Sequence, residues 1–329
     1  MAWGQQAGLT LLASGASSDR KVGHNLADMR NHALLPESQR ALPVVPPFDL
    51  ARTVAPVWWA RGRWPNVDWR DRTLTWVGWE EGRIVWRAVR QRHEAALEIV
   101  GSGDPARDER WAAGVLGTVM AMPEFGAEPL RELADTHRGL KPWAAGSLYE
   151  GVVSSLIGQS ISVAAAAVTE RRLYAQFNDE ITIDDRGFWV PPRADQLAAA
   201  EVSLVRASGV TTKRAEALVE VGRLFADGVL REPDRTMFEG SAVVPDLLAV
   251  SGIGPWTVRS AYLWGLGDPD AHPSGDVALL RAVRQRLPHV TTLKELDTAA
   301  ADWTPHRGWA ARLFWIDLLG FDEGAAQAP

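Results

Sequence analysis

The 329 residues predict an α+β fold, a mainly helical core preceded by a small α/β sheet-containing domain. Two patterns carry this expectation. Between residues 46 and 100, short runs of Val, Ile, Thr and Trp alternate with turn residues, as strands do. From Pro129 onward, apolar residues recur at three- and four-residue spacing behind Ser and Thr helix starts. The 46% hydrophobic and 23% charged content is that of an ordinary globular protein, and the length suffices for two cores.

Residues 1–40 are rich in Ser, Gly, Asn and Ala without periodicity, so a disordered tail is expected there. Residues 41–125 are assigned to the small N-terminal domain. Within it, Thr73–Val77 and Ile84–Val89 flank the turn at Glu80, Glu81 and Gly82, which predicts a hairpin. Ala95–Val100 supplies a further strand, and Trp111–Met122 a helix that ends before Pro123. Residues 126–320 are assigned to the helical domain, followed by a C-terminal tail over 321–329. Ser147 is placed to cap a helix carrying Leu148, Val152 and Leu156, and Ser162 to cap the next, Val163–Phe177. Residues 179–192 interrupt the helices as a short hairpin or insert. Thr212–Ala226, Leu293–Asp302 and Arg307–Leu319 resume them.

The chain has no cysteine, which excludes disulfides, thiolate zinc sites and cysteine-held iron–sulfur clusters. No apolar run approaches the roughly twenty residues of a membrane span, and the start lacks the basic region of a signal peptide. A cytoplasmic protein is expected, with no membrane partner. The net charge of −6 runs against a nucleic-acid partner, which normally leaves a basic footprint. Arginines nevertheless crowd residues 52–92, and Lys213, Arg214, Arg281, Arg284 and Arg286 lie near later helix starts and faces. Solvated surface is the plain alternative for most of them.

The densest chemistry lies between Leu247 and Leu280. Ser251, Gly252, Ile253 and Gly254 separate an apolar segment from a helix starting near Pro255. Glycines at such a turn permit left-handed backbone and close approach of a phosphate, while N–H groups at the helix start face outward. Gly252, Ile253, Gly254 and Thr257 are therefore the candidate DNA-backbone contacts. Some twenty residues later, Pro273, Ser274, Gly275 and Asp276 place one carboxylate just ahead of the helix Val277–Leu287. Taken singly, each element has an ordinary structural reading, since Gly-X-Gly turns and Asp N-caps close many helices. Their order is what points to chemistry on nucleic acid.

The ordered segment resembles the helix–hairpin–helix–Gly/Pro/Asp superfamily of DNA glycosylases. Gly252–Thr257 match its hairpin and Pro273–Asp276 its loop and catalytic acid. Ser155–Ser162 are similar to its loop on the DNA-facing side, and Trp303–Trp309 extend the likeness downstream. Roughly residues 42–320 are covered, most like the bacterial 3-methyladenine DNA glycosylase II branch. The resemblance implies base excision, with double-stranded DNA containing damaged bases as the partner and Asp276 as the catalytic residue. Strand-cutting members carry a lysine two residues past the hairpin glycine. Trp256 stands there, which implies a monofunctional hydrolase.

The 16 tryptophans bear on the substrate, because an aromatic wall attracts a cationic base such as 3-methyladenine or 7-methylguanine. Trp256 and Trp315 are the candidate base-pocket residues, with core packing as the alternative for the rings on helices. Val277 and Ser260 stand where relatives can place pocket aromatics, which leaves the substrate range open. Gln159 and Ser160 occupy the wedge loop that fills the gap left by a flipped nucleotide, although neither is bulky and apolar. No cofactor or divalent metal is required, and hairpin carbonyls could hold a monovalent cation. A monomer is expected. A glycosylase for deaminated or oxidised bases and a non-catalytic DNA-binding protein remain the alternatives.

Overall fold

The computed structural model describes residues 38–60, 62–233 and 237–321. The expected tails therefore lie almost wholly outside the described residues. Two exceptions are corrections: Phe321 packs against Trp58, and residues 38–40 belong to strand β1, Ser38–Pro43, which pairs antiparallel with Ala96–Gly101. Its polar sequence hides the strand, because β1 is an edge strand held by main-chain bonds.

The sheet continues with β2 (Val67–Arg70), β3 (Thr73–Glu80), β4 (Arg83–His93) and β5 (Ala96–Gly101), all antiparallel in the order β1-β5-β4-β3-β2. Glu80 pairs with Arg83 around the predicted turn, where Glu81 and Gly82 both have positive φ, the geometry that matches strand twist. Residues 46–60, expected to read as strand, instead form the helical turns α1 (Leu50–Thr53) and α2 (Ala55–Trp59). Asp49 caps the first through Arg52 N, and Pro56 starts the second. The expected helix at Trp111–Met122 lies earlier, as α3 (Pro105–Leu116). Asp104 caps it and Gly117, at φ 59°, ends it.

Both sheet faces are buried. Leu74, Trp76, Val85, Val89, Leu97 and Ile99 pack beneath α1–α3 with Trp143 and Ala145. Val77, Trp86, Ala88 and Val100 pack against Ile183, Phe188 and Val190. Ile183 and Phe188 belong to the short hairpin β6 (Ile181–Ile183) and β7 (Arg186–Phe188) and Val190 follows it, so the predicted interruption is a cover for the sheet. Arg186 Nη1 donates to Asp68 at 3.0 Å and Trp79 Nε1 to the Pro191 carbonyl at 2.8 Å, fixing it there.

The helical part comprises α4 (Leu130–Thr136), α5 (Leu148–Gly158), α6 (Val163–Phe177), α7 (Ala194–Ala198), α8 (Val202–Arg206), α9 (Thr212–Ala226) and α10 (Val243–Ala249). It then runs through α11 (Pro255–Ala261), a π-helical turn (Tyr262–Leu266), α12 (Val277–Arg286), α13 (Leu293–Ala301) and α14 (Arg307–Leu319). Ser147 and Ser162 cap α5 and α6 as predicted. The central contact is α5 against α11 and the π turn. A Cβ at Gly151 would sit 2.4 Å from the Ala261 carbonyl, so glycine permits the approach. The aliphatic core surrounds this crossing, with Leu156, Val258, Leu263 and Ile316 fully buried.

Two of the crowded arginines are internal. Arg63 pairs with Glu170 and donates to the Ser154 carbonyl, tying the sheet region to α5 and α6. Arg87 is fully buried between Asp108 and Glu80. Neither belongs to a solvated or phosphate-binding face. No helix among the described residues is long and apolar enough to cross a membrane.

Candidate active site beside the hairpin

The hairpin joins α10 to α11 through Val250–Gly254. Ile253 N donates to the Val250 carbonyl at 3.0 Å, and Ile253 is buried as the anchor of the turn. The two glycines are there for different reasons. Gly252 has φ 96°, which a side chain would strain. Gly254 has φ −118° and ψ 175°, extended backbone open to any residue, so the conformational reason given for it from sequence does not hold. A Cβ at Gly254 would meet nothing within 4 Å. The room lies on the outer side of the turn. The Lys213 side chain, whose Cε would be 3.6 Å from a Cβ on Gly252, brings positive charge to the same turn.

Thr257 is 2% exposed and does not face solvent. Its hydroxyl accepts from Gln159 Nε2 at 2.8 Å, and the same nitrogen donates to the Gly252 carbonyl at 2.9 Å. Arg214 closes the group by donating to the Gln159 side chain and main-chain carbonyl. Gln159 thus locks the end of α5 to the hairpin. Ser160 follows at φ 55°, exposed, and Ile161 beside it is 38% exposed. Ile161 puts an exposed apolar side chain in this loop, and its sequence signal is a β-branched residue between two serines.

Asp276 caps α12, its Oδ1 accepting from Leu279 N at 2.8 Å. Its Oδ2 accepts from Trp256 Nε1 at 3.3 Å. The hairpin helix and the acid loop, twenty residues apart in sequence, therefore meet through these two side chains, both partly exposed. With each carboxylate oxygen already directed by an N–H, the acid has a fixed orientation. Beyond it, α12 presents Arg281 and Arg284 along an open groove with Val277 and Gln285. Arg286 is instead paired with Asp317 and Glu132.

Trp315 occupies different surroundings. It is 8% exposed and stacks on Trp264 with ring centroids 5.3 Å apart. A small cavity there is lined by Arg52, Trp59, Lys141, Trp264, Arg312 and Trp315. Arg312 lies over the Trp264 ring at 4.7 Å, so that ring already has a cationic partner. Burial lowers the Lys141 pKa to about 8 and that of Arg312 to about 9. Lys141 Nζ donates to the Met120 carbonyl at 2.6 Å. Sequence reasoning found neither basic group, because nothing local marks a buried Lys or Arg. Trp309 and Trp303 are core residues, Trp303 packing on Phe314.

Among the described residues no group of three or more His, Asp or Glu is placed to hold a metal. A monovalent cation at the hairpin would rely on main-chain carbonyls, and that of Gly252 is shared with Gln159.

No family model matches the chain. It is 28% identical to DNA-3-methyladenine glycosylase 2 of Escherichia coli (strain K12) over 225 residues, 68% of this chain and 77% of that one. It is 24% identical to DNA-3-methyladenine glycosylase of Bacillus subtilis (strain 168) over 192 residues, 57% of this chain and 63% of that one. In structure it superposes on a 3-methyladenine DNA glycosylase from Archaeoglobus fulgidus with TM-score 0.70 and 19% identity, covering 85% of this chain and 98% of that one, which establishes a shared fold. The chain is thus similar in sequence to DNA-3-methyladenine glycosylases and shares the fold of one, which supports its place in the helix–hairpin–helix–Gly/Pro/Asp superfamily of DNA glycosylases, close to the 3-methyladenine glycosylase II branch.

Proposed function

We propose that the chain is a monofunctional DNA N-glycosylase of base excision repair, which flips out alkylated purines and hydrolyses their glycosidic bonds. The observation that carries this reading is Asp276, held on both oxygens beside the hairpin with Trp256, and no amine, at the adjoining helix start. Flipping comes first, because the sugar–base bond is inaccessible inside the stack. Gly252, Ile253 and Gly254 present the turn to the phosphate chain, with Lys213 adding charge, while buried Thr257 supports it from behind. Ser160 and Ile161 lie at the tip that fills the vacated space.

As the bond to the base lengthens, positive charge grows on the deoxyribose. The Asp276 carboxylate stabilises that charge and orients the attacking water, an effect worth about 3–4 kcal/mol. The base leaves with the bonding electrons, and the water supplies the new oxygen at C1′. A purine already cationic from methylation leaves readily without a protein acid, and the Trp256 ring offers it a favourable face. No step requires a bound metal.

The basic groups beside Trp315 suit a second reading, in which the flipped base is a neutral deaminated or oxidised one with carbonyl acceptors. The cavity between them has room for about one water, so that reading requires it to open. Base release from duplexes carrying methylated, deaminated or oxidised bases decides between the two. Free 3-methyladenine or 7-methylguanine with intact strands supports the first. Release of neutral bases alone supports the second, and strand scission before any base treatment overturns the monofunctional assignment.

A further inference from the structure

The segment between the π turn and α12 carries Asp276, and it is anchored by a sequence of carboxylates. Asp268 Oδ2 accepts from Phe238 N at 2.5 Å and its Oδ1 from Asp270 N at 2.8 Å. Asp270 Oδ1 accepts from both N and Nε of Arg307, each at 2.9 Å, fixing the segment to the start of α14. The last anchor before Asp276 comes from α13. Asp297 Oδ1 lies 2.8 Å from His272 Nε2, and Asp297 Oδ2 accepts from Ser274 Oγ at 2.7 Å.

We propose that Asp297 is a positioning residue for Asp276, acting through His272 and Ser274; the role rests on the glycosylase reading above. Between the two held residues lies Pro273, and beyond Ser274 come Gly275, at φ 88°, and then Asp276. Two successive tight turns, Ser274 N to the His272 carbonyl at 2.8 Å and Asp276 N to the Pro273 carbonyl at 3.0 Å, leave little slack. The helix α12 fixes the far side of Asp276 through Leu279 N. Asp297 fixes the near side. A carboxylate gripped on both sides needs no rearrangement as charge develops, and such preorganisation is the main electrostatic contribution of a site.

The residue types support this assignment. His272 is 5% exposed and its Nδ1 makes no hydrogen bond, so an apolar ring would fill the space equally well. What the imidazole adds is the bond from its buried Nε2 to Asp297, whose side chain is 43% exposed and reaches in from α13. Burial lowers the His272 pKa, so at neutral pH the ring is uncharged and Nε2–H is the donor. Ser, His and Asp are the residues of a hydrolytic triad, yet here both Ser274 and His272 bond to the carboxylate. The serine hydroxyl is not handed to the imidazole, and no nucleophile is made.

The test combines single-turnover base release, binding to a duplex with an abasic-site analogue, thermal melting and amide hydrogen exchange across residues 272–280. It compares wild type with Asp297→Ala, Asp297→Asn, His272→Phe and Asp276→Asn. Asp297→Ala and His272→Phe are expected to slow release about 10- to 100-fold, as misplacement of a reacting group does. Affinity should stay within about twofold, as for an effect confined to the chemical step. Asp297→Asn keeps an acceptor for His272 and should restore most of the rate. A melting loss without a rate loss in both variants overturns the proposal, as does a rate loss that Asn fails to restore. If Asp276→Asn retains the wild-type rate, the glycosylase reading fails, whatever Asp297 does. If wild type releases no base at all, that reading also fails. Exchange then decides the positioning role, and unchanged protection in Asp297→Ala overturns it.

Discussion

Gly254 offers a substitution whose effects on stability and on DNA binding should separate. In Gly254→Ala the backbone is already in an alanine-compatible region, and the new methyl meets no protein atom within 4 Å. Removing a glycine from the unfolded chain stabilises by about 0.4–1 kcal/mol, while alanine is a poorer N-cap than glycine by a similar amount, about 0.5–1 kcal/mol. The two offset, so unfolding free energy should change by less than about 0.5 kcal/mol. Gly252→Ala at φ 96° should instead destabilise by about 1–2 kcal/mol. The space in front of Gly254 is the proposed path of a phosphate chain, and a methyl there pushes the backbone away. A loss of about 1.4 kcal/mol or more is expected, a tenfold weaker Kd. Chemical denaturation and fluorescence anisotropy with a labelled abasic-analogue duplex measure the two quantities. A Gly254→Ala protein that binds as well as wild type would refute the hairpin as the phosphate contact.

Three further outcomes follow from single contacts. Trp256→Phe keeps an aromatic face but loses the donor to Asp276 Oδ2, and single-turnover release should fall about 3- to 10-fold, as for loss of one modest hydrogen bond, with DNA affinity unchanged. Gly151→Ala forces a methyl to 2.4 Å from the Ala261 carbonyl and should cost at least about 2 kcal/mol, read as a lower melting temperature. His137 is buried without a partner at either ring nitrogen, and burial, aided by Arg52, lowers its pKa from 6.5 to about 4. The unfolded chain therefore binds this proton first as pH falls. Stability is complete above about pH 6.5 and declines toward pH 4, by at most about 3 kcal/mol, and His137→Leu should flatten that part of the pH–stability curve.

The features legible in the sequence are those with local signals. Ser147, Ser162 and Asp276 cap helices because a short oxygen-bearing side chain ahead of a periodic segment has few other uses. The Glu81–Gly82 turn was visible for the same reason. The start of α3 was equally marked, by Asp104 and Pro105, but the apolar residues from Trp111 onward drew the helix too far downstream. Nothing local announces that β6 and β7 cover the sheet, that Gln159 holds Gly252 and Thr257, or that Asp297 holds His272 and Ser274. Each is a pairing between distant segments, made by residues whose type fits many environments. Trp256 and Asp276 both stand out in the sequence, yet their contact depends on where the fold places the start of α11 and the loop before α12. Trp315 stands out as an aromatic, but of the basic groups around it only Arg312 shares its helix, while Arg52 and Lys141 come from two distant segments.

In the proposed enzyme Asp276 carries the chemistry while the hairpin carries the binding. The most direct measurement is single-turnover release of free base from alkylated duplex DNA by wild type and by Asp276→Asn, with binding to the same duplex measured in parallel. Asparagine keeps the cap geometry and removes the charge. The expected result is a loss of about 100- to 1,000-fold in release with Kd changed less than about threefold. Release by Asp276→Asn at the wild-type rate would mean that the Asp276 carboxylate does not carry the chemistry.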